Sequence, residues 1–263
     1  MMTSQILFAF ALTLAAGLST AIGGLVVLKK KEPSALFLAS ALGFSAGVML
    51  WVSFWELMPT AKDYLVTAVG DKAGNWAVVA AFFGGVLLIT IIDRLVPEAV
   101  NPHEPHDEAA VESAKLRKMG VLMALAIGIH NFPEGFATFL SGTESLSIAL
   151  PVAFAIAIHN IPEGISVAIP IWQATGSRRK GFMWAMLTGL AEPIGALVGF
   201  LVLLPFLGPA TMGIAFGAIS GIMVFISLDE LLPTAVATGK HHAAVYGLII
   251  GMAVMALSLL LVA

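Results

Sequence analysis

Residues 125–135 read LAIGIHNFPEG, and residues 154–164 read FAIAIHNIPEG, with eight of eleven positions identical. Each copy places an imidazole, a carboxamide and a carboxylate inside a long apolar stretch. Such groups are costly in a membrane-spanning segment, so two copies indicate a function. The alternative is a polar network that only ties helices together, and duplication of the whole hexapeptide argues against it.

The composition predicts an all-α, polytopic membrane protein. Hydrophobic residues make up 59% of the 263 positions and charged residues only 11%, which is more apolar than a soluble domain requires. A bilayer-crossing helix needs about 20 mainly apolar residues. Eight stretches meet this condition, at 4–28, 34–58, 75–96, 119–141, 146–173, 181–206, 209–234 and 243–263. We therefore expect eight transmembrane helices in a single transmembrane domain, residues 1–263.

The basic residues predict the orientation of these helices. Eleven of the 13 lysines and arginines lie in alternate loops, at 29–33, 93–118, 174–180 and 235–242. The opposite loops contain only Lys62 and Lys72. The positive-inside rule then places the basic loops in the cytoplasm and both termini on the outer side of the cell (inner) membrane. The basic residues form no single patch, so we expect no nucleic acid as partner. The apolar spans predict a lipid bilayer as the partner of the helices.

A second internal repeat predicts inverted symmetry. Residues 47–61 (GVMLWVSFWELMPTA) match residues 221–235 (GIMVFISLDELLPTA) at eight positions. The second and seventh predicted helices run in opposite directions, as do the fourth and fifth. Helices 1–3 would thus mirror helices 6–8, with helices 4 and 5 at the pseudo-twofold axis. Inverted repeats with a binding site near the membrane midplane recur among secondary transporters.

The doubled hexapeptide predicts a divalent metal site. In each copy the His and the Glu are four residues apart, which places both on one helix face. The intervening prolines, Pro133 and Pro162, each lack an N–H and so free one backbone carbonyl beside these side chains. The chain has no cysteine, and a mixture of imidazole and carboxylate suits borderline divalent ions. The candidate ligands are His130, Asn131, Glu134, His159, Asn160 and Glu163.

Three further carboxylates lie within predicted spans. Glu192, in the sequence GLAEP, is a candidate ligand, with helix packing or proton relay as the alternative. Glu56 and Glu230 occupy equivalent repeat positions near predicted helix ends. They are expected either to meet water and headgroups at the membrane boundary or to line the mouths of a cation pathway.

Met49 and the cytoplasmic loop add weaker candidates. A Met in an apolar helix usually packs, so spacing alone leaves Met49 open between packing and ligation. Loop 97–118, between helices 3 and 4, carries His103 and His106 among acids and prolines. This loop is expected either to bind weakly the metal that exits on the cytoplasmic side or to act as a solvated linker.

Together these motifs resemble the ZIP (Zrt/Irt-like) metal transporters, in their bacterial ZupT-like branch, over nearly the whole chain. The resemblance rests on the HNxPEG pair, the GLAEP of the next helix and the His-containing loop before the fourth helix. It implies that helices 1, 4, 5 and 6 move against helices 2, 3, 7 and 8 in an elevator-like way, a division that the sequence alone does not predict.

The resemblance also implies a ligand set for a two-metal centre bridged by carboxylates. The first position would be held by His130, Glu134, His159 and Glu163. The adjoining position would be completed by Asn131, Asn160 and Glu192. The family pattern also places a ligand on the second helix, at the position of Met49.

We therefore expect a transporter that moves divalent ions into the cytoplasm: zinc, with iron(II), manganese, cobalt and cadmium. It would be no enzyme and would need no catalytic cofactor, since the metal bound at one or two sites is the cargo. A proton-coupled exporter or antiporter stays open, because the residues do not set the direction of flux. An intramembrane metallohydrolase is disfavoured, because a zincin helix requires His-Glu-x-x-His. The sequence leaves monomer and homodimer open.

Overall fold

The computed structural model describes residues 2–28, 34–95, 146–203 and 208–262. In the stretch between positions 117 and 142 it describes 117–118, 120–122, 124–125, 127–129, 131–132, 134–136, 138–139 and 142. The loop with His103 and His106 lies outside these residues, as does His130.

Regular structure in the described residues is helical, and these residues contain no strand. The helices are α1 (Met2–Gly24), α2 (Ala35–Val52), α3 (Met58–Val69), α4 (Asp71–Leu95), α5 (Leu146–Thr175), α6 (Arg178–Gly189), α7 (Ala191–Val198), α8 (Pro209–Ile226), α9 (Leu232–Ala237) and α10 (His241–Val262). The described residues of 117–142 are helical as well, and we call this stretch the 117–142 segment. The prediction of an all-α protein is confirmed.

The bundle presents apolar surface outward. Six helices of the described residues are long and apolar enough to cross a membrane: Gln5–Leu28, Ala35–Val69, Asp71–Ile92, Arg178–Leu201, Pro209–Ala237 and His241–Leu260. On α4, Trp76 is 72% exposed and Phe83 and Leu87 are also exposed. Such a surface is stable only against lipid or another apolar partner. The chain is therefore a multi-pass membrane protein.

Two helices continue past the ends that their apolar stretches predicted. We expected the second span to stop at 58 and the seventh at 234, but they run to Val69 and Ala237. A π turn lies just before each proline, at Ser53–Leu57 and Ser227–Leu231. Proline at the start of the next helical segment is tolerated, because the first N–H groups of a helix need no partner within it.

The two π turns share the same local hydrogen bonds. Ser53 Oγ donates to the carbonyl oxygen of Met49, and Ser227 Oγ donates to that of Met223, both at 2.7 Å. Glu56 and Glu230 thus lie in π turns inside continuous helices. The expectation of a nearby helix end is wrong for Glu56, because its helix continues to Val69, whereas Glu230 lies seven residues before the end at Ala237. In each case a π turn connects the helix to the segment that begins beside the proline, so the helix continues.

Glycines bring the helices into backbone contact, and they sort the bundle into two groups. A Cβ on Gly23 would overlap the carbonyl oxygen of Ile161, which joins α1 to α5. A Cβ on Gly47 would overlap that of Leu248, which joins α2 to α10. Every interhelical neighbour of a glycine in the described chain lies in the glycine's own group. The first group is α1, the 117–142 segment, α5 and α6–α7; the second is α2–α3, α4, α8–α9 and α10.

Side chains fill the interface between the two groups. A single buried apolar cluster joins Met49 and Met223 of the second group to Ala124, Ile127 and Val167 of the first. Helix α5 contacts both α2 and α10. Among the described residues, this interface contains none of the glycine-to-backbone contacts that hold each group together.

Candidate metal centre

The second hexapeptide lies in the middle of α5, which continues without a break through Pro162. The described residues of the first hexapeptide are also helical. His130 and the side chain of His159 lie outside the described residues. The geometry available for the centre is therefore that of its carboxamides and carboxylates.

Asn160 joins three helices. Its side-chain nitrogen donates to the carbonyl oxygen of Ala16 in α1 at 3.1 Å, and it also donates to Oε1 of Glu192 in α7. Both side chains are fully buried. Because a backbone carbonyl only accepts hydrogen bonds, the nitrogen must face Ala16 and Oδ1 must face the other way.

Asn131 makes the corresponding bond from the other hexapeptide. Its side-chain nitrogen donates to the carbonyl oxygen of Thr188 in α6 at 3.3 Å, and the side chain is fully buried. Both carboxamides are thus fixed to the backbone of a neighbouring helix. Their oxygens are left as acceptors.

The buried oxygens that have no hydrogen-bond donor within the described part of the chain include Asn131 Oδ1, Asn160 Oδ1 and Glu192 Oε2. A buried acceptor without a donor costs about 1–3 kcal/mol. A cation can satisfy such oxygens, since carboxylate and carbonyl oxygens are ordinary ligands of divalent metals. The oxygen donors present therefore fit a divalent cation.

The electrostatics of the centre also favour a cation. Glu163 and Glu192 are fully buried, and Glu134 is partly buried. Glu134 and Glu163 both lie close enough to Glu192 to repel its charge. Like charges repel strongly where the dielectric constant is low, so a divalent ion would stabilise this arrangement.

The carboxylates do not form a closed cage by themselves. Over the residues whose positions are described, no three His, Asp or Glu side chains are grouped closely enough to hold a metal ion. The described part of the centre is therefore a set of oxygens spread over several helices. The side chains of the two predicted histidines, His130 and His159, lie outside the described residues.

The glycine that ends each hexapeptide serves the centre through packing. A Cβ on Gly135 would overlap the backbone of Glu192, and a Cβ on Gly164 would overlap the carbonyl oxygen of Thr20. These contacts press the two motif helices onto α7 and α1. The sequence pattern alone predicted no role for these glycines, although a glycine ends both copies of the motif.

The remaining candidates lie at different places in the bundle. Met49 is fully buried in the cluster between the two groups, together with Ile127. Glu56 is exposed and Glu230 is partly exposed, each in its π turn. The ligand roles predicted for these residues stay predictions.

A bundle of lipid-facing helices with a buried, oxygen-lined, acidic centre defines the class of multi-pass membrane proteins that handle cations. The family model described as ZIP Zinc transporter matches residues 97–259. A protein named zinc transporter ZupT from Corynebacterium glutamicum is 64% identical over 260 residues, covering 97% of this chain and 99% of its own.

Two proteins of the same name, from Streptococcus mutans and Clostridium perfringens, are also similar. The first is 55% identical over 262 residues and covers 99% of both chains. The second is 50% identical over 276 residues and covers 98% of this chain and 97% of its own. The chain belongs to the ZIP zinc transporter family. It is a divalent metal transporter and not an enzyme.

Proposed function

We propose that the protein carries zinc, and also iron(II), manganese, cobalt and cadmium, across the inner membrane into the cytoplasm. The main support is the bond between Asn160 and Glu192, which brings the fifth and sixth predicted helices together around buried acceptor oxygens. The names of the relatives favour zinc among these ions. Oxygen and imidazole donors without thiolate favour no single ion, which fits a broad range of cargo.

The proposed ligands follow the hexapeptides. One metal position uses His130, Glu134, His159 and Glu163. The adjoining position uses Asn131, Asn160 and Glu192, with Glu134 and Glu163 bridging the two metals. Met49, on the second group of helices, is proposed as a further ligand. The carboxamide oxygens and Glu192 Oε2 support the second position, because they are buried acceptors that lack donors in the described residues.

The proposed architecture has eight crossings related by inverted symmetry. The contacts of the glycines support it, because they occur in mirrored pairs. Gly164 of α5 packs on the carbonyl of Thr20 in α1, and Gly135 of the 117–142 segment packs on that of Glu192 in α7. The paired π turns support the same symmetry for the second and seventh helices.

Alternating access in this architecture is elevator-like. Glycine packing contacts define two groups of helices. They correspond to the sets that the family resemblance implied, which are predicted helices 1, 4, 5 and 6 and predicted helices 2, 3, 7 and 8. Asn131, Asn160 and Glu192 all belong to the first group, so the metal would travel with that group. An interface of apolar side chains such as Met49 and Val167 lets the groups shift without breaking backbone contacts.

The proposed orientation has the basic loops in the cytoplasm and both termini outside. Arg178, at the start of α6, donates to the carbonyl oxygen of Val27 at 2.9 Å. The loop before α6 and the end of the first span therefore lie on the same side of the bundle. This arrangement supports the orientation, which assigns both to the cytoplasmic side.

Flux through liposomes tests the function. We expect the purified protein to carry Zn²⁺ to a dye enclosed in the vesicles, and Glu163→Gln to lose at least nine-tenths of that rate, because it removes one of the buried negative charges. Asp63→Asn makes the same change at an exposed position of α3 and should transport normally. A correctly inserted Glu163→Gln protein with the wild-type rate would contradict the proposed site. An imposed pH gradient separates uniport from proton exchange.

A further inference from the structure

The hydroxyl of Thr20 differs from the other buried hydroxyls of α1. Thr13 Oγ1 donates to the carbonyl oxygen of Ala9 at 2.9 Å, and Ser19 Oγ donates to that of Ala16 at 2.6 Å. Such bonds to the preceding turn are the usual way to satisfy a hydroxyl within a membrane helix. Thr20 is 0% exposed, and its hydroxyl has no partner among the described residues. The Thr20 hydroxyl is therefore a buried polar group that makes no hydrogen bond with the described residues.

Thr20 lies against the candidate metal centre. Its carbonyl oxygen packs on Gly164 of α5, the residue after Glu163. Its Cβ lies 3.0 Å from where a Cβ on Gly189 would be, so it also packs on α6. One turn earlier in α1, Ala16 accepts the hydrogen bond from Asn160. Thr20 is therefore enclosed by α5 and α6, and it lies one turn from the carbonyl that positions Asn160.

The internal symmetry relates Thr20 to Glu192. Residues 10–24 align with residues 182–196, and five positions are identical: Phe10/Phe182, Gly17/Gly189, Leu18/Leu190, Ile22/Ile194 and Gly23/Gly195. Gly17 and Gly189 pack reciprocally, each against the carbonyl oxygen of the other. In this alignment Thr20 is the counterpart of Glu192.

The hydrogen bonds of the carboxamides follow the same alignment. Asn160 donates to the carbonyl of Ala16, and Asn131 donates to that of Thr188, the residue aligned with Ala16. Asn160 also reaches the carboxylate of Glu192. By the same alignment, the Thr20 side chain is expected to take the mirrored position, on the side of Asn131.

We propose that the Thr20 hydroxyl is an oxygen ligand of the transported divalent cation on the Asn131 side of the centre, opposite Glu192. This inference rests on the proposed function. A neutral hydroxyl in place of a second carboxylate leaves three acidic groups, Glu134, Glu163 and Glu192, in the centre. The ion is then held less tightly on the Thr20 side, and a transport site must bind weakly enough to release its ion.

Metal binding to the purified protein in detergent tests the proposal independently of transport. Thr20→Val keeps the shape of the side chain and removes the hydroxyl, while Thr20→Ser keeps the hydroxyl. Titration calorimetry with Zn²⁺ and Mn²⁺ should show affinity about tenfold lower for Thr20→Val and within about twofold of wild type for Thr20→Ser. Thr13→Val removes an equally buried hydroxyl of the same helix and should leave metal affinity unchanged.

Stability without metal gives a second measurement. Removing an unsatisfied buried hydroxyl should leave the metal-free melting temperature of Thr20→Val at or above that of wild type. Its rise on Zn²⁺ addition should be smaller than in wild type. If Thr20→Val does not insert, Thr20→Ala and Thr20→Ser replace it, and the Ser protein should bind about tenfold more tightly than the Ala protein.

The outcomes separate this proposal from the function on which it rests. Wild-type affinity in a folded Thr20→Val protein, or equal affinities in the Ala and Ser proteins, would overturn the role of Thr20. If Glu163→Gln loses zinc binding in the same titrations, the proposed function stands without Thr20. If Glu163→Gln also binds zinc as wild type does, the proposed centre itself is wrong.

Discussion

Asn160 donates a hydrogen bond to the carboxylate of Glu192, and the two residues come from α5 and α7, which are separated along the chain by α6. The same carboxamide nitrogen also bonds to the carbonyl of Ala16. One side chain thus positions Glu192 and ties α1, α5 and α7 together.

Asn160→Ala should lower zinc affinity by at least tenfold, because it removes a proposed ligand oxygen and the donor that orients Glu192. Zinc titration of the purified protein measures this. Asn75 offers a matched control, since its carboxamide bonds to the carbonyl of Asp71 at an exposed position, and Asn75→Ala should bind zinc normally. Equal affinity in the two variants would show that Asn160 only ties helices together.

Gly84 and Gly85 are adjacent in α4 but meet different surroundings. A Cβ on Gly85 would overlap the carbonyl oxygen of Ala218 in α8, whereas a Cβ on Gly84 would have no neighbour within 4 Å among the described residues. Gly85→Ala should therefore destabilise the protein by about 1–3 kcal/mol through overpacking. Gly84→Ala should be neutral or stabilise by up to about 1 kcal/mol, because Ala favours helix. Thermal unfolding in detergent compares them, and similar melting temperatures would mean that α4 and α8 are not in backbone contact.

Arg178 of α6 contacts residues of the first span and of α5. Its guanidinium lies 4.3 Å from the ring centre of Trp172 and also bonds to the carbonyl of Val27. Arg178→Lys keeps the positive charge that sets topology but loses the planar stacking surface. We expect a loss of about 0.5–1 kcal/mol in thermal stability. Arg179→Lys, at an exposed neighbouring position, should cause no loss, and an equal loss in both would assign the effect to helix α6 in general.

Ser220 joins α8 to the π turn of the second helix. Its hydroxyl donates to the carbonyl oxygen of Ser53 at 3.0 Å. Ser220→Ala should cost about 0.6 kcal/mol, the average for interhelical hydrogen bonds in membranes. Ser258 bonds only to the carbonyl of Val254 in its own helix among the interactions described, so Ser258→Ala should change the melting temperature less. If Ser258→Ala costs as much, the bond to Ser53 contributes nothing specific.

Sequence reasoning succeeded where a local pattern determines the structure. Long apolar stretches predicted the helices. The family resemblance implied that Asn160 and Glu192 lie at one metal position, and in the structure the two side chains are hydrogen-bonded to each other. The backbone partners of the carboxamides could not be predicted, because the carbonyls of Ala16 and Thr188 are atoms that every residue carries. The burial of Glu163 and Asn131 likewise depends on which helices pack together, and apolar composition alone does not determine this.

The end predicted for the second span, at 58, was wrong for a different reason. That end followed the end of the apolar stretch, whereas the helix continues through the polar residues Lys62 and Asp63 to Val69. The role of Thr20 was also hidden, because the first and sixth helices align at only a few positions. The contact between Gly17 and Gly189 made that alignment evident.

The π turn at Ser53–Leu57 behaves as one surplus residue in an otherwise regular helix. Deleting a single residue there would return the helix to its α-helical repeat, and the residues beyond it would keep nearly the same rotation about the helix axis. Tyr64, whose ring stacks on Phe216, would still face α8. A one-residue deletion between Met58 and Tyr64, in the regular turns of α3, would instead turn everything beyond it by about 100°. The π turn is therefore the place in this helix where loss of one residue should be tolerated best.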